Sequence, residues 1–365
     1  MVPRILLLLA LAPGGQKIAR FEAQTIATDL TGGYQVVITD MNADGRPDLL
    51  VVASGLHDLV WYENPRWQRH VIASGFHRMI NVAAADTDGD RIPELLLAHE
   101  FSNEAKKSEG IVSLLEYDGR GKPWRRTDID RLPTSHRLRV LNGLFVNAPL
   151  TGADAEPPDY KGHTPLVYYK PGEWKRRLIT DADEGVVHGV YITDWTGDGK
   201  QDILTASFQG IHLLLTQKNG TWTRTRLAAG HPGASDVAVG KLGRKRFLCS
   251  IEPWHGNEVA VYTEKGSEWE REVIDSSLND GHTILAADLD GNGRDVIVAG
   301  YRGPGRSVNL YRNRDGRWVK SLLDEGGIAA AGCAAGDLNG DNLPDIACIG
   351  SATANLRVYW NRGAR

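Results

Sequence analysis

Six tryptophans, Trp67, Trp124, Trp174, Trp222, Trp269 and Trp318, recur at intervals of about 48 residues along the 365-residue chain, each followed by a short basic and apolar segment. Upstream of most of them an apolar run (Val36 to Asp40 in the first copy) enters an Asp-rich loop, and a second apolar run (Leu49 to Ala53) leaves it. A third run ends in related tetrads: Trp61-Tyr62-Glu63-Asn64, Leu115-Glu116-Tyr117-Asp118, Val167-Tyr168-Tyr169-Lys170, Val261-Tyr262-Thr263-Glu264, Leu310-Tyr311-Arg312-Asn313 and Val358-Tyr359-Trp360-Asn361. Four short strands in a repeat of 40 to 50 residues predict an all-β fold, a seven-bladed β-propeller, over residues 16–365. Only six outer strands follow the tryptophans. The seventh, Phe21-Glu22-Ala23-Gln24-Thr25-Ile26-Ala27, stands at the other end of the chain and is predicted to complete the last blade, closing the ring so that no sheet edge is left open.

The blades are not uniform. Blade 2 carries a polar excursion, Phe101 to Gly110, and blade 3 an insertion, Thr151 to His163, rich in Pro, Gly and Asp. Blade 5 has Lys241-Leu242-Gly243-Arg244-Lys245 where other blades have an acidic loop. Long loops on a rigid scaffold are where binding and catalytic residues gather.

In the acidic loops, oxygen donors alternate on a glycine-containing turn. Asp40, Asn42, Asp44 and Asp48 occupy positions 1, 3, 5 and 9, and Asp86, Asp88, Asp90 and Glu94 repeat the spacing. So do Asp194, Asp198 and Asp202, with Thr196 at position 3, and Asp337, Asn339, Asp341 and Asp345. Asp288, Asp290 and Asn292 start a fifth copy whose last acid, Asp295, comes one residue early. Many hard oxygen ligands on a tight turn predict structural calcium ahead of magnesium, and the loops lack the position-12 Glu of an EF-hand.

If these loops lie at the bottom of the ring, each inner strand starts at the top. Six residues before the loops stand Tyr34, His188, His282 and Ala331, with His136 and Ser235 at the matching positions of blades 3 and 5 and His77 nearby in blade 2. The connections between second and third strands return to the same face with Glu100, with Glu252-Pro253-Trp254-His255-Gly256, and with Tyr301 and Arg302. Neutral imidazoles with a carboxylate suit a transition metal, so His136, His188, Glu252, His255 and His282 are candidate ligands of zinc or another divalent ion. The same groups suit proton transfer, with His136, His188, His255, Tyr301 and Arg302 as candidate catalytic residues. Tyr34, His77, Glu100 and Trp254 are candidate substrate-binding residues, and the rings of Tyr34, Trp254 and Tyr301 are suited to stacking on a sugar.

Acids and bases are spread along the chain, with a net charge of -4, and the absence of a basic stripe argues against nucleic acid. Residues 1–15, with Arg4 before the apolar run Ile5 to Ala12, read as a signal peptide, which predicts a periplasmic or secreted protein. No membrane span is expected after it. Cys249, Cys333 and Cys348 are expected as buried free thiols, although the last two are within reach of one another across a hairpin.

The acidic loops resemble FG-GAP or VCBS repeats of calcium-laced propellers over roughly Phe21 to Asn361. Gly33-Tyr34, Val60 to Pro65, His136-Arg137-Leu138-Arg139, Val187-His188-Gly189, Glu252 to Gly256 and Asp280-Gly281-His282 together resemble the propeller domain of the aldos-2-ulose dehydratase/isomerase (pyranosone dehydratase) family. The resemblance implies a lyase acting on keto-sugars such as 1,5-anhydro-fructose at a metal-containing top face, and carries over to His136, His188, Glu252, His255, His282 and Arg302. The seven repeats leave no stretch for that family's cupin domains, so it implies the dehydratase rather than the isomerase half. The rival readings are a polysaccharide lyase acting on uronic acids, and a calcium-stabilised propeller that binds glycans or a protein without catalysis.

Overall fold

The computed structural model describes residues 18–119, 122–217 and 219–364. Their strands form seven four-stranded antiparallel sheets, the seven blades that the repeat predicts. Six blades take their strands consecutively from the chain. The seventh combines Ala330–Gly336, Asp345–Gly350 and Leu356–Ala364 with the N-terminal strand Ala19–Ala27, in register from Phe21 opposite Asn361 to Thr25 opposite Arg357. The first strand therefore closes the ring. The signal peptide expected over 1–15 lies outside the described residues.

Burial follows the position of a strand within its blade. Second strands such as Asp48–Ala53, Glu94–His99 and Val296–Tyr301 are buried along their whole length, because both faces of the blade are covered by neighbours. Outer strands such as Arg125–Arg131 are exposed or only partly buried along their length. Apolar side chains fill the clefts between adjacent blades; Leu49, Val51 and Val60 of blade 1, for example, pack on Ile349, Leu356 and Val358 of blade 7.

One expectation is corrected. Cys333 and Cys348 form a disulfide, and only Cys249 is a buried free thiol. The two are direct cross-strand partners in blade 7 with Cα atoms 4.1 Å apart, which brings their sulfurs together.

Inner strands pose a physical problem that sets the chemistry of the channel. Each has one edge paired inside its blade and one edge facing the axis, where N–H and C=O groups have no sheet partner. Polar side chains of the preceding blade satisfy many of them. Gln35 bonds both Val82 N and Val82 O, Asn81 accepts from Leu138 N, and Thr283 accepts from Cys333 N. A ring of inner strands is thus latched blade to blade by side chains pointing along its circumference.

Candidate functional site

At the top of the channel this latching is done by histidines. His188 Nδ1 lies 3.0 Å from Ser235 O on blade 5, and His282 Nδ1 lies 2.5 Å from Ala331 O on blade 7. A carbonyl only accepts, so each Nδ1 carries the proton, and each Nε2 is left with its lone pair facing the axis. His255 arrives from the second-to-third connection of blade 5, at φ +50°, a left-handed conformation that costs a non-glycine residue about 1 kcal/mol or more. Its Nε2 stands 3.2 Å from His188 Nε2, and its N–H is held by the Ser235 hydroxyl at 3.2 Å. Ser235 therefore holds the His188 imidazole and the His255 backbone at once. One nitrogen from each of His188, His255 and His282 falls within 4.8 Å of the others.

The fourth imidazole, His136, stacks 5.0 Å from His188, centroid to centroid, but its Nε2 faces the Tyr34 hydroxyl at 2.6 Å. Tyr34 in turn meets His282 edge-on. Five side chains from blades 1, 3, 4, 5 and 6 thus form one layer across the channel. Burial holds His136, His188 and His282 well below the usual imidazole range, and the Arg137 or Arg302 charges lower them further. His255 is lowered too, by burial and then by Arg302, with Asp280 opposing. All four are neutral at pH 7, so their lone pairs are available. His282 Nε2 is a buried polar atom with no hydrogen-bond partner.

Above the layer opens a cavity of about 600 Å³. Its walls include Tyr34, Arg78, Phe101, Trp254, His255 and Arg302. Arg302 is clamped on Asp280 by two bonds of 3.0 and 2.9 Å and reaches His255 Nδ1 at 3.3 Å. Trp254 packs against Tyr160 of the blade 3 insertion and Phe208 of blade 4, so the insertion builds one side of the wall.

Other candidates lie elsewhere. Glu252 is fully buried inside blade 5, bonded to Ser250, Tyr262 and Arg271, and does not join the imidazoles. Its alternate position on the strand turns the carboxylate into the sheet interior while the loop after it carries His255 to the mouth. The Tyr301 hydroxyl donates to Gly305 O, and its ring packs in the cluster between blades 5 and 6. His77 is exposed and stacks edge-on with His57. Glu100 pairs with Arg78 at the rim, leaving Arg78 on the cavity wall. Ser235, Asp280, Arg78 and Phe101 carried no role in the sequence reading; Asp280 and Ser235 were detectable only as neighbours of inner-strand starts.

At the bottom, first-position carboxylates bond to their own turns: Asp40 accepts from the N–H groups of Asn42, Asp44 and Gly45, and Asp337 from those of Asn339 to Asn342. Ninth-position acids are buried instead. Asp48 accepts from Met41 N and Asn64 N, and Asp345 from Leu338 N and Asn361 N, so each ties its loop to the third strand of its blade. Burial pushes the Asp48 carboxyl up to about 6. Asp86, Asp88 and Glu94 bring ligand oxygens within 4.8 Å of one another. In blade 4, Asp194 accepts from Gly197, Asp198 and Gly199, and Asp202 from Trp195 N. The blade 6 loop differs: Asp290 is taken up by Arg312 and by Ala19 N of the closing strand, while Asp288 accepts from Asn292 N. Asp295 bonds Lys241 N, so the early acid serves the blade 5 turn that lacks a loop of its own.

Comparison with known proteins bears on the fold and its relatives. Residues 109–266, which contain His136, His188 and His255, match the family model described as aldos-2-ulose dehydratase, beta-propeller domain. Residues 40–97 and 288–348 match the FG-GAP-like repeat. Aldos-2-ulose dehydratase of Phanerodontia chrysosporium is 28% identical over 59% of this chain, and the chain spans 28% of that protein's length. A gluconolactonase from Xanthomonas campestris superposes with a TM-score of 0.50 at 9% identity, covering 95% of this chain and 92% of that one. The extracellular domain of a one-component system from B. thetaiotaomicron superposes at 0.56 and 11% identity, covering 93% and 40%. At such identities the two structures share a fold with this chain and nothing finer. The chain is thus an all-β, FG-GAP-type propeller similar over its middle blades to the propeller domain of a sugar dehydratase.

Proposed function

We propose that the protein is an exported carbohydrate lyase of the dehydratase kind, which eliminates water or an alkoxyl group from a keto-sugar in the cavity above the imidazole layer. The observation that carries this reading is the meeting of His188, His255 and His282 beside the Tyr34–His136 pair and Arg302, within and next to the segment that matches the dehydratase propeller. The Cys333–Cys348 disulfide supports export, since such bonds persist in oxidising compartments.

The three imidazoles fit a divalent transition metal. They are neutral, two are oriented by carbonyl groups as metal-bound histidines commonly are, and His188 Nε2 and His255 Nε2, at 3.2 Å, need a proton or a cation between them. Zinc or a similar ion held there would supply Lewis-acid polarisation of a substrate ketone. Arg302, fixed by Asp280, offers its free N–H groups to the oxygen that gains charge as the carbon beside the ketone loses its proton. Tyr34 and His136 share a hydrogen bond and take up that proton, as a phenol–imidazole pair able to pass it on. The β C–O bond then breaks with its electron pair on oxygen, and the same pair returns a proton to the departing oxygen. Phe101 and Trp254 line the wall against which the sugar ring rests. Calcium in the loops of blades 1, 2, 4 and 7 would be structural, far from this chemistry.

Incubation with 1,5-anhydro-fructose, followed by ultraviolet absorbance of the enone, tests the reading, with uronate polymers as the competing substrate class. Turnover is expected on the keto-sugar, and His136→Ala and His255→Ala should each lower it by about 100-fold or more. Full turnover in both variants would overturn the site. Elemental analysis after removal of calcium should find one transition metal per chain, lost in His188→Ala.

A further inference from the structure

Below the imidazole layer the channel widens into a second cavity of about 570 Å³. Among its lining residues only Arg137, Arg139 and Asp236 carry a full charge. The two arginines stand two residues apart on the inner strand Ser135–Leu141, so both side chains leave the same face of blade 3. There they latch the free edge of blade 4: Arg137 Nε donates to His188 O at 2.7 Å and Arg139 Nε to Val190 O at 3.0 Å. Arg139 Nη1 also donates to Asn81 Oδ1 and to Leu138 O.

These bonds do not use up the donors. Arg137 Nη1 and Arg139 Nη2 have no hydrogen-bond partner among the described residues, and neither guanidinium pairs with a carboxylate. Arg137 is only 6% exposed. Arg312, buried to a similar degree at 7%, shows what such a group ordinarily finds, a bidentate grip on Asp290. Asp236 is the sole acid in the cavity, and its oxygens accept from Val237 N and Ile284 N instead. One buried and one partly buried positive charge therefore face one negative charge that pairs with neither, which leaves the cavity net positive. The strain shows in Arg139, lowered to about 10 by burial and then by the Arg137 charge. Each guanidinium keeps one free Nη, and two such charged donors on neighbouring side chains suit the oxygens of a carboxylate or phosphate.

We propose that this lower cavity binds a small oxyanion between Arg137 and Arg139, on the other side of the imidazole layer from the mouth cavity. The site does not depend on the lyase reading, and its test reads binding alone.

Isothermal titration calorimetry of the full chain with sodium phosphate, at fixed pH and ionic strength, is the experiment. One saturable site is expected in the unaltered protein. Arg139→Gln should weaken it by about 10-fold or more, the worth of a charge-assisted hydrogen bond. Asp236→Asn keeps one acceptor for the N–H groups of Val237 and Ile284 while removing the competing negative charge, and should tighten phosphate binding. That gain cannot arise from damaged folding, so it stands as a readout even where Arg139→Gln unfolds the chain. Absence of a saturable site, or an affinity that Asp236→Asn leaves unchanged or weakens, would overturn the proposal.

Discussion

The two ends of the propeller channel satisfy their polar groups in opposite ways. At the bottom, Asp40 closes on N–H groups no more than five residues ahead, and Asp337 does the same. At the top, His188 bonds a carbonyl 47 residues away, His282 one 49 residues away, and His136 a hydroxyl 102 residues away. The bottom loops are local devices repeated in five of the seven sequence copies. The mouth exists only when the ring is closed. A group satisfied by its own turn keeps its shape through changes elsewhere, whereas the mouth keeps unpartnered atoms, such as His282 Nε2 and His136 Nδ1, that the ring holds in place. Such atoms are costly to bury and mark where a ligand fits.

Four measurements would break or sharpen that contrast. The largest effect belongs to the mouth: Tyr34→Phe, which keeps the ring and removes the hydroxyl facing His136, should lower turnover on a keto-sugar by about 100-fold with little change in a urea melt. A melt that shifted while turnover held would reverse the assignment. At the bottom the balance should invert, because Asp345→Ala strands two buried N–H groups, those of Leu338 and Asn361. It should cost about 2–5 kcal/mol in urea denaturation and spare the metal content of the mouth.

A third measurement separates the blade interior from both ends. His99 is buried in blade 2 against Ser113 and Arg126, and burial, then the Arg126 charge, lower it from 6.5 to about 4. Between those values the unfolded chain binds a proton that the folded chain refuses. Stability is therefore complete above pH 6.5 and is lost as pH falls toward 4, by at most about 3 kcal/mol. His99→Gln should flatten the pH dependence of urea melts in that window; an unchanged slope would assign it to other groups. The smallest effect is expected for Asp90→Ala on the exposed rim of the blade 2 loop, within about 0.5 kcal/mol in a calcium chelator. Added calcium should raise the melting temperature of the unaltered protein more than that of the variant, and equal gains would place the ion elsewhere.

Much of the fold was legible because its signals repeat. Trp67, Trp269 and Trp318 punctuate outer hairpins, the acidic loops sit between first and second strands, and Phe21 to Ala27 carries an outer-strand pattern without a blade of its own. The candidate site was legible only in part. His136, His188, His255 and His282 share inner-strand starts or their facing connections, a register that sequence displays. Glu252 and Tyr301 stand just as near the top in sequence but turn into their blades, since alternation along a strand decides the side and a one-residue offset reverses it. Cys333 and Cys348 were misjudged for a related reason. Whether two thiols bond depends on being exact cross-strand partners, which spacing alone does not reveal.

What the chain determines by itself is the repeat: strand lengths, turn chemistry and the number of blades all follow from short-range patterning that recurs seven times. What only the closed ring decides is which polar groups are left over. The axis-facing edge of each inner strand must be capped by side chains of the preceding blade, and that demand selects the Nδ1 proton of His188 and His282, leaves their Nε2 lone pairs free, and leaves Arg137 and Arg139 with donors to spare. These are contacts between residues tens of positions apart, and no local pattern encodes them, because their geometry comes from the curvature of the whole ring.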